Sequence, residues 1–339
     1  MFLSCFLWPD MTRFFVLAAL LSLICPPCVP AFEIEPFNTY NQSPVIRIFG
    51  LPGAGSPRVV KAGKTELEFS AVLASNYILD ENHRESLLID GETHSFALGV
   101  RRGLGQDTEA GIDIPYVSQT GGFLDGVIDT WHHTFGFREG GRNLAPKNRL
   151  LYRYVRDGGE RLKLDSCSGG IGDIRLQGAR QLYRGGNGSA ALRASLKLPT
   201  GDSGSLIGSG STDLAVWVTA DRPFDSRYGR WSIYGAGGGM AMKGGSVLAE
   251  QQRNTAVFGT LGGGWKPGER LVLKIQADAH TPFYRDSELK ELESPGIQLV
   301  LGGTVALTRE TTLDIAVSED ILVKSSPDVV FNFILKTRF

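Results

Sequence analysis

Asp328-Val-Val-Phe-Asn-Phe-Ile-Leu-Lys-Thr-Arg-Phe339 decides how the rest of the chain is read. In an extended strand, successive side chains point to opposite faces. Val329, Phe331, Phe333, Leu335, Thr337 and Phe339 therefore share one face, and Val330, Asn332, Ile334, Lys336 and Arg338 share the other. The first face suits hydrocarbon and the second tolerates water. On its own the segment fits a membrane-spanning strand and the edge of a soluble sheet equally well.

The same alternation begins at Thr65 and continues through the chain. Leu67, Phe69, Ala71, Leu73 and Tyr77 oppose Glu66, Glu68, Ser70 and Asn76 in 65–77. Segments 93–103, 108–117, 171–184 and 190–198 follow, the last setting Leu192, Ala194, Leu196 and Leu198 against Arg193, Ser195 and Lys197. Leu214, Val216 and Val218 oppose Asp213 and Thr219, and the Gly-rich segments 230–242 and 254–265 carry Trp231 and Trp265 at their ends. Leu271, Leu273, Ile275, Ala277 and Ala279 oppose Lys274, Gln276, Asp278 and His280. Segments 297–307 and 313–317 precede the terminal strand. A Lys or Arg facing lipid at mid-membrane costs about 2–4 kcal/mol, so confining cations to one face is a selective pattern.

The links between strands support a barrel. Gly105–Asp107, Gly185–Gly188, Lys266–Glu269 and Arg309-Glu310 are short, and Asp221–Gly229 is somewhat longer. Between them fall the long links 78–92, 119–170, 199–211, 243–253, 281–295 and 320–327. Strict alternation of short and long suits periplasmic turns and extracellular loops. The expected fold is all-β, a transmembrane antiparallel barrel of about 12 strands over 64–339, with both ends of the barrel segment on one side. Tyr77 and Tyr116 then mark the outer rim, and Trp231, Trp265 and Phe339 the inner rim.

Composition agrees. A net charge of −1 and a pI near 6.5 provide no basic field for nucleic acid. The 43 glycines recur within alternating segments, as a tightly curved sheet requires. Residues 1–31 read as a signal peptide, and Met11 is the better start. Met11-Thr-Arg13 is a small basic region, Phe14–Ile24 is apolar but too short to span, and Val29-Pro30-Ala31 suits cleavage. Ser22-Leu23-Ile24 before Cys25 lacks the small residue that lipidation of that cysteine needs. Cleavage after Ala31 leaves Cys167 alone and excludes an internal disulfide. Residues 32–63, with Pro44–Pro52 as their one apolar run, read either as a plug in the lumen or as a periplasmic lead-in.

Candidate functional residues fall in two places. In the longest link Phe123, Val127, Trp131 and Phe135 recur every four residues, a helical stripe with Asp125, Asp129, His132 and His133 largely off it. Leu150–Val155 and Arg161–Asp165 around Asp157-Gly-Gly read as a hairpin. Such a loop serves as a lid, as a ligand mouth, as an amphipathic helix on the membrane surface, or simply as packing on the rim. The predicted lumen lining includes Glu66, Glu68, Asp173, Arg175, Arg193, Lys197, Asp213, Lys274, Asp278, His280 and Lys336. It suits polar solutes, and equally ion pairs that hold a lumen shut.

Other motifs carry little. Gly201-Asp-Ser-Gly-Ser205 resembles the nucleophile segment of trypsin-like serine proteases but lies in a polar Gly/Ser loop. Ala62-Gly-Lys-Thr65 ends like a phosphate-binding loop, but Arg58 stands where its first glycine belongs. Adjacent His132 and His133 diverge on a helix, unlike metal ligands at i, i+4. Asp286, Glu288, Glu291 and Glu293 form an acidic face that suits solvent better than a cation. No metal or cofactor is expected.

Asn41–Pro44, Phe49–Pro52, Gly121–Gly126 with Trp131-His132, Leu196–Asp202, Pro282–Ser287 and Ala316–Asp320 together resemble a proteobacterial family, domain of unknown function 3187. The resemblance implies an outer-membrane location and no particular activity. Lys197-Leu-Pro-Thr-Gly-Asp202 is also similar to a stretch in outer-membrane proteins of phenol meta-pathway degradation, which implies passage of hydrophobic substrates. The leading expectation is passage or binding of a small, partly apolar solute, gated by 32–63 or by the 119–147 loop. The alternatives are an acyl hydrolase using Ser203 with His132 or His133, and a structural or adhesive barrel. Expected partners are outer-membrane lipid and lipopolysaccharide, and the barrel assembly machinery through the strand ending at Phe339.

Overall fold

The computed structural model describes residues 32–124, 146–321 and 326–339. Its strands are β1 (Thr65–Glu81), β2 (Glu85–Gly103), β3 (Thr108–Thr120), β4 (Leu151–Arg156), β5 (Gly159–Leu164), β6 (Ser168–Ile171), β7 (Arg175–Gly185) and β8 (Gly188–Lys197). They continue as β9 (Asp213–Ser226), β10 (Gly229–Met242), β11 (Thr255–Lys266), β12 (Leu271–His280), β13 (Gly296–Ala306), β14 (Thr311–Asp320) and β15 (Val329–Arg338). A one-turn helix, α1 (Lys290–Glu293), lies between β12 and β13.

Twelve of these strands close into an antiparallel barrel, in the order β1, β2, β3, then β7 to β15 and back to β1. The seam forms between β1 and β15, with Phe69 opposite Leu335, Ala71 opposite Phe333 and Leu73 opposite Phe331. This register puts the apolar sets of both strands on one face, as their alternation requires. Closure leaves no unpaired edge, the condition for crossing a bilayer with strands. Outward-facing side chains are correspondingly apolar, Phe69, Leu98, Leu214, Leu261, Ile275 and Leu301 all being exposed. Among the described residues, no helix is long and apolar enough to cross a membrane.

The remaining strands extend the wall above the barrel at the long-loop end. The predicted long link 78–92 is instead the continuation of β1 and β2, which pair from Ile78–Ile89 out to Glu81–Ser86. The polar run around 80–85 hides this, because partners from elsewhere complete the sheet: β4 pairs with the first half of β2, and β5 with β4. β4 and β5 are the hairpin predicted within 150–165. The strand predicted over 171–184 is β7, which starts at Arg175, and a separate short β6 precedes it: β6 pairs with the far end of β3, and β7 with its near end. Residues 221–229 are no loop, since β9 and β10 pair out to Ser226 and Gly229 across Arg227-Tyr228. The helix expected over 123–135 falls almost wholly outside the described residues.

Trp231 and Trp265 are cross-strand partners at the short-turn end, and their rings stack at 5.5 Å. Such aromatic pairs are typical of the interfacial girdle of a membrane barrel. The largest apolar core closes the opposite end. There Val45, Phe49 and Leu51 meet Leu87, Ile89, Tyr152, Tyr154, Met240, Val247, Phe283, Tyr284 and Leu289.

Candidate functional site

Residues 32–63 thread the lumen. Their rising arm runs beside β12 at strand spacing, every second residue meeting each successive inward side chain. Lys274 donates to the Glu35 carbonyl at 3.2 Å. Gln276 accepts from the Phe37 amide at 2.9 Å and donates to the Phe37 carbonyl at 3.2 Å. The Thr39 hydroxyl donates to Asp278 at 2.6 Å, and Asn41 Nδ2 lies 2.9 Å from His280 Nε2. Each partner is 239 residues downstream, and Tyr284, whose hydroxyl donates to the Val45 carbonyl, keeps the same offset. A constant offset in parallel fixes the register of the arm in the barrel. The inward side chains of β12 supply hydrogen bonds that an irregular buried segment could not make for itself.

The chain turns at 44–49 inside the apolar cap and descends beside β9. Contacts now recur every fourth residue, again at a fixed offset, here of 163. The Gly50 amide donates to Asp213 at 2.8 Å, Trp217 Nε1 to the Ala54 carbonyl at 2.8 Å, and Arg58 to Asp221 at 2.7 Å. Gly55 has φ of +70°, and a Cβ there would stand 2.8 Å from Arg193 Cδ, so only glycine fits without strain. Arg193 Nε donates to the Ser56 carbonyl at 2.7 Å, and the Val60 amide donates to Glu109 at 2.6 Å.

The charged lumen residues form pairs and networks. Lys197, 1% exposed, is 2.5 Å from Asp173 and 3.3 Å from Asp213. Arg193 meets Glu109 at 2.9 Å, and Lys274 meets Asp314 at 3.3 Å with its ammonium 3.7 Å from the Phe37 ring centre. Arg101 faces Glu68 at 3.5 Å and Asp113 at 3.4 Å, and Lys336 faces Glu68 at 3.6 Å. At the short-turn rim Arg338 reaches both Glu66, at 2.6 Å, and Glu35, at 3.1 Å. Burial by itself raises the Glu35 pKa, but Arg338, Lys336 and Arg58 outweigh it and hold the carboxyl well below its ordinary value.

Beside the descending arm, towards β1, β2, β3, β7 and β8, the lumen keeps a cavity of about 910 Å³. Its lining runs from Phe224, Arg309, Glu310 and Phe339 at the short-turn end up to Ser95, Val117 and Ile207. Glu35, Asn38, Tyr40 and Gln42 of the rising arm border it as well, while on the β12 side of that arm a gap of about 20 Å³ lies near Thr39 and His280.

Of the stripe predicted in the long link, only Phe123 is described. It lies on the barrel's outer side, its ring 5.7 Å from His94, and is exposed. The Leu124 amide donates to the buried, outward-facing Glu92, and its side chain meets Val329, Leu73, Val317 and Phe331. Asp125, Val127, Asp129, Trp131, His132, His133 and Phe135 lie outside the described residues. Asp202 accepts hydrogen bonds from Ser205 Oγ and the Gly204 amide, closing a local turn. Sequence reading missed the role of Gln276, Trp217, Arg47 and Arg58 as contacts of the threaded segment. Their partners are too distant in sequence to leave a local signal.

A closed barrel with an apolar outer belt and a threaded, charged lumen has the fold of Gram-negative outer-membrane β-barrel proteins. The chain belongs to the family described as protein of unknown function DUF3187, which matches residues 13–339. Among curated proteins none matches. Among solved structures it is similar to the COG4313 outer membrane channel from Pseudomonas putida F1, at 12% identity and a TM-score of 0.54, covering 84% of this chain and 98% of that one. The NanC porin is similar at 5% identity and a TM-score of 0.44, covering 80% and 98%. The CymD monoaromatic hydrocarbon channel is similar at 11% identity and a TM-score of 0.36, covering 90% of this chain and 94% of that one.

Proposed function

We propose that the protein is an outer-membrane channel for a small, partly apolar solute, closed in this conformation by residues 32–63. One observation carries the reading. The threaded segment is held by side-chain hydrogen bonds and ion pairs, and joins the sheet through a single isolated bridge, Ala62 to Gly103. An element held in this way can shift without opening the barrel wall, whereas a strand of the barrel cannot. The cavity of about 910 Å³ beside it is open at the short-turn end and capped by the apolar core at the long-loop end. The fold shared with the COG4313 channel supports placement in the outer membrane, with lipid against the apolar belt.

The start of the 119–147 loop lies against the outside of the barrel, which favours 32–63 as the gate. Conductance in planar bilayers tests the reading. The full chain should be mostly closed, and a chain lacking 33–60 should conduct persistently. A deletion variant that is folded and inserted but silent would count against a channel.

A further inference from the structure

The upper end of the cavity holds two arginines with no carboxylate of their own among the described residues. Arg47, in the turn of the threaded segment, is 5% exposed and borders the cavity. Its Nη2 donates to Ser95 Oγ at 3.3 Å, while Nε and Nη1 have no acceptor among the described residues. Arg175, from β7, gives one hydrogen bond from each Nη, to the carbonyls of Leu51 and Phe49 at 3.2 and 3.3 Å, which leaves other N–H groups of its five for a ligand, and it lies 4.8 Å from the Tyr40 ring centre. The carboxylates nearby are engaged elsewhere. Asp113, cross-strand neighbour of Arg175, is taken by Arg101 and Gln177, and Asp173 by Lys197 and two backbone amides.

The field at this place is positive. Burial and then the charge of Arg175 lower the Arg47 pKa, against a smaller opposing effect of Tyr40 relative to burial. Burial alone raises the Tyr40 phenol, yet Arg175 and Arg47 bring it below its ordinary value. A buried cation without a counter-ion is costly, and a guanidinium is shaped to take a carboxylate through two parallel hydrogen bonds.

The wall beside Arg47 is apolar. Ser95, its one hydrogen-bond partner, stands between Val72 and Val117 in the register of β1, β2 and β3, and Ala97 faces Pro115 in the next row. All of these line the cavity.

We propose that Arg47 and Arg175 bind the carboxylate of a small organic acid whose apolar body lies against Val72, Ala97, Pro115 and Val117. The proposal deepens the channel reading and rests on it for the role of the acid as solute. Because Arg47 belongs to the threaded segment, an acid bound here would also sit on the element proposed to move.

Calorimetric titration of the full chain in detergent tests this, with benzoate, its neutral isostere benzamide, and acetate as probes. Benzoate should bind at least tenfold more tightly than either of the others. Arg47→Gln and Arg175→Gln should each weaken benzoate at least tenfold, with folding checked by heat-modifiable gel mobility. Benzamide binding as tightly as benzoate would overturn the carboxylate site, and acetate binding as tightly would overturn the apolar contact. No benzoate binding would overturn both. These comparisons on the unaltered chain do not depend on a variant folding. Conductance of the chain lacking 33–60, set beside benzoate binding by the full chain, separates the two readings: a deletion variant that conducts while the full chain ignores benzoate refutes the site alone, and a full chain that binds benzoate while the folded, inserted deletion variant never conducts refutes the channel alone.

Discussion

The two arms of the threaded segment meet very different walls. The rising arm is bonded to a single strand, β12, at every second residue from 35 to 41, with only a small gap between the two. The descending arm is tied to β9 at every fourth residue and to side chains of β3, β7 and β8 over 56–60, and it borders the large cavity. Continuous registry on one strand makes an anchor, whereas the cavity beside the descending arm leaves room for a solute and for movement. Damage to the anchor should therefore reduce stability, while damage to the descending arm should increase conductance.

The largest effect is expected at Lys197, which serves the wall behind the descending arm. Lys197→Met leaves Asp173 and Asp213 buried without their cation, and breaking a buried pair in this way costs about 3–5 kcal/mol. Denaturant unfolding of the detergent-solubilised barrel should show it. On the anchor, Gln276→Leu removes the partners of the Phe37 amide and carbonyl, and each unsatisfied buried group costs about 1–3 kcal/mol. It should destabilise more than it raises open probability.

Gly55→Ala should do the reverse. A side chain at that positive φ costs about 1–2 kcal/mol, and the Cβ meets Arg193, so the descending arm should loosen and channel opening should rise about tenfold. Bilayer recordings compare the two variants directly.

The smallest effect concerns pH. The Glu35 carboxyl has a lower pKa in the folded protein than its ordinary 4.5, so its contribution is fully present above 4.5 and is lost as pH falls through the folded value. Acid should therefore loosen the short-turn rim, where Glu35 meets Arg338 and Lys336. Glu35→Gln should remove this part of the pH dependence of opening.

Much of the barrel was legible in the sequence because its physics is local. Phe69, Leu73, Phe331 and Leu335 alternate with polar neighbours, and that period alone assigns faces and the seam between β1 and β15. The extensions of β1 and β2 were not legible, since β4 supplies their cover from a distant part of the chain. The path of 32–63 left still less trace. Its residues have no period of their own, and its contacts lie 239 and 163 residues away. The lumen-facing charges were readable as a set. Which of them are paired, and that Arg47 and Arg175 are not paired with a carboxylate, depended on the threaded segment.

The central claim, that the descending arm closes the lumen, can be tested by tying that arm to the wall. A Cβ at position 50 stands 2.9 Å from Asp213 Cβ, against about 3.8 Å in a disulfide, so a bond needs only a small shift. The double variant Gly50→Cys with Asp213→Cys, in a Cys167→Ser background, should be silent in bilayers when oxidised and should open on reduction. Equal currents in the oxidised and reduced states, with the disulfide verified, would contradict the account.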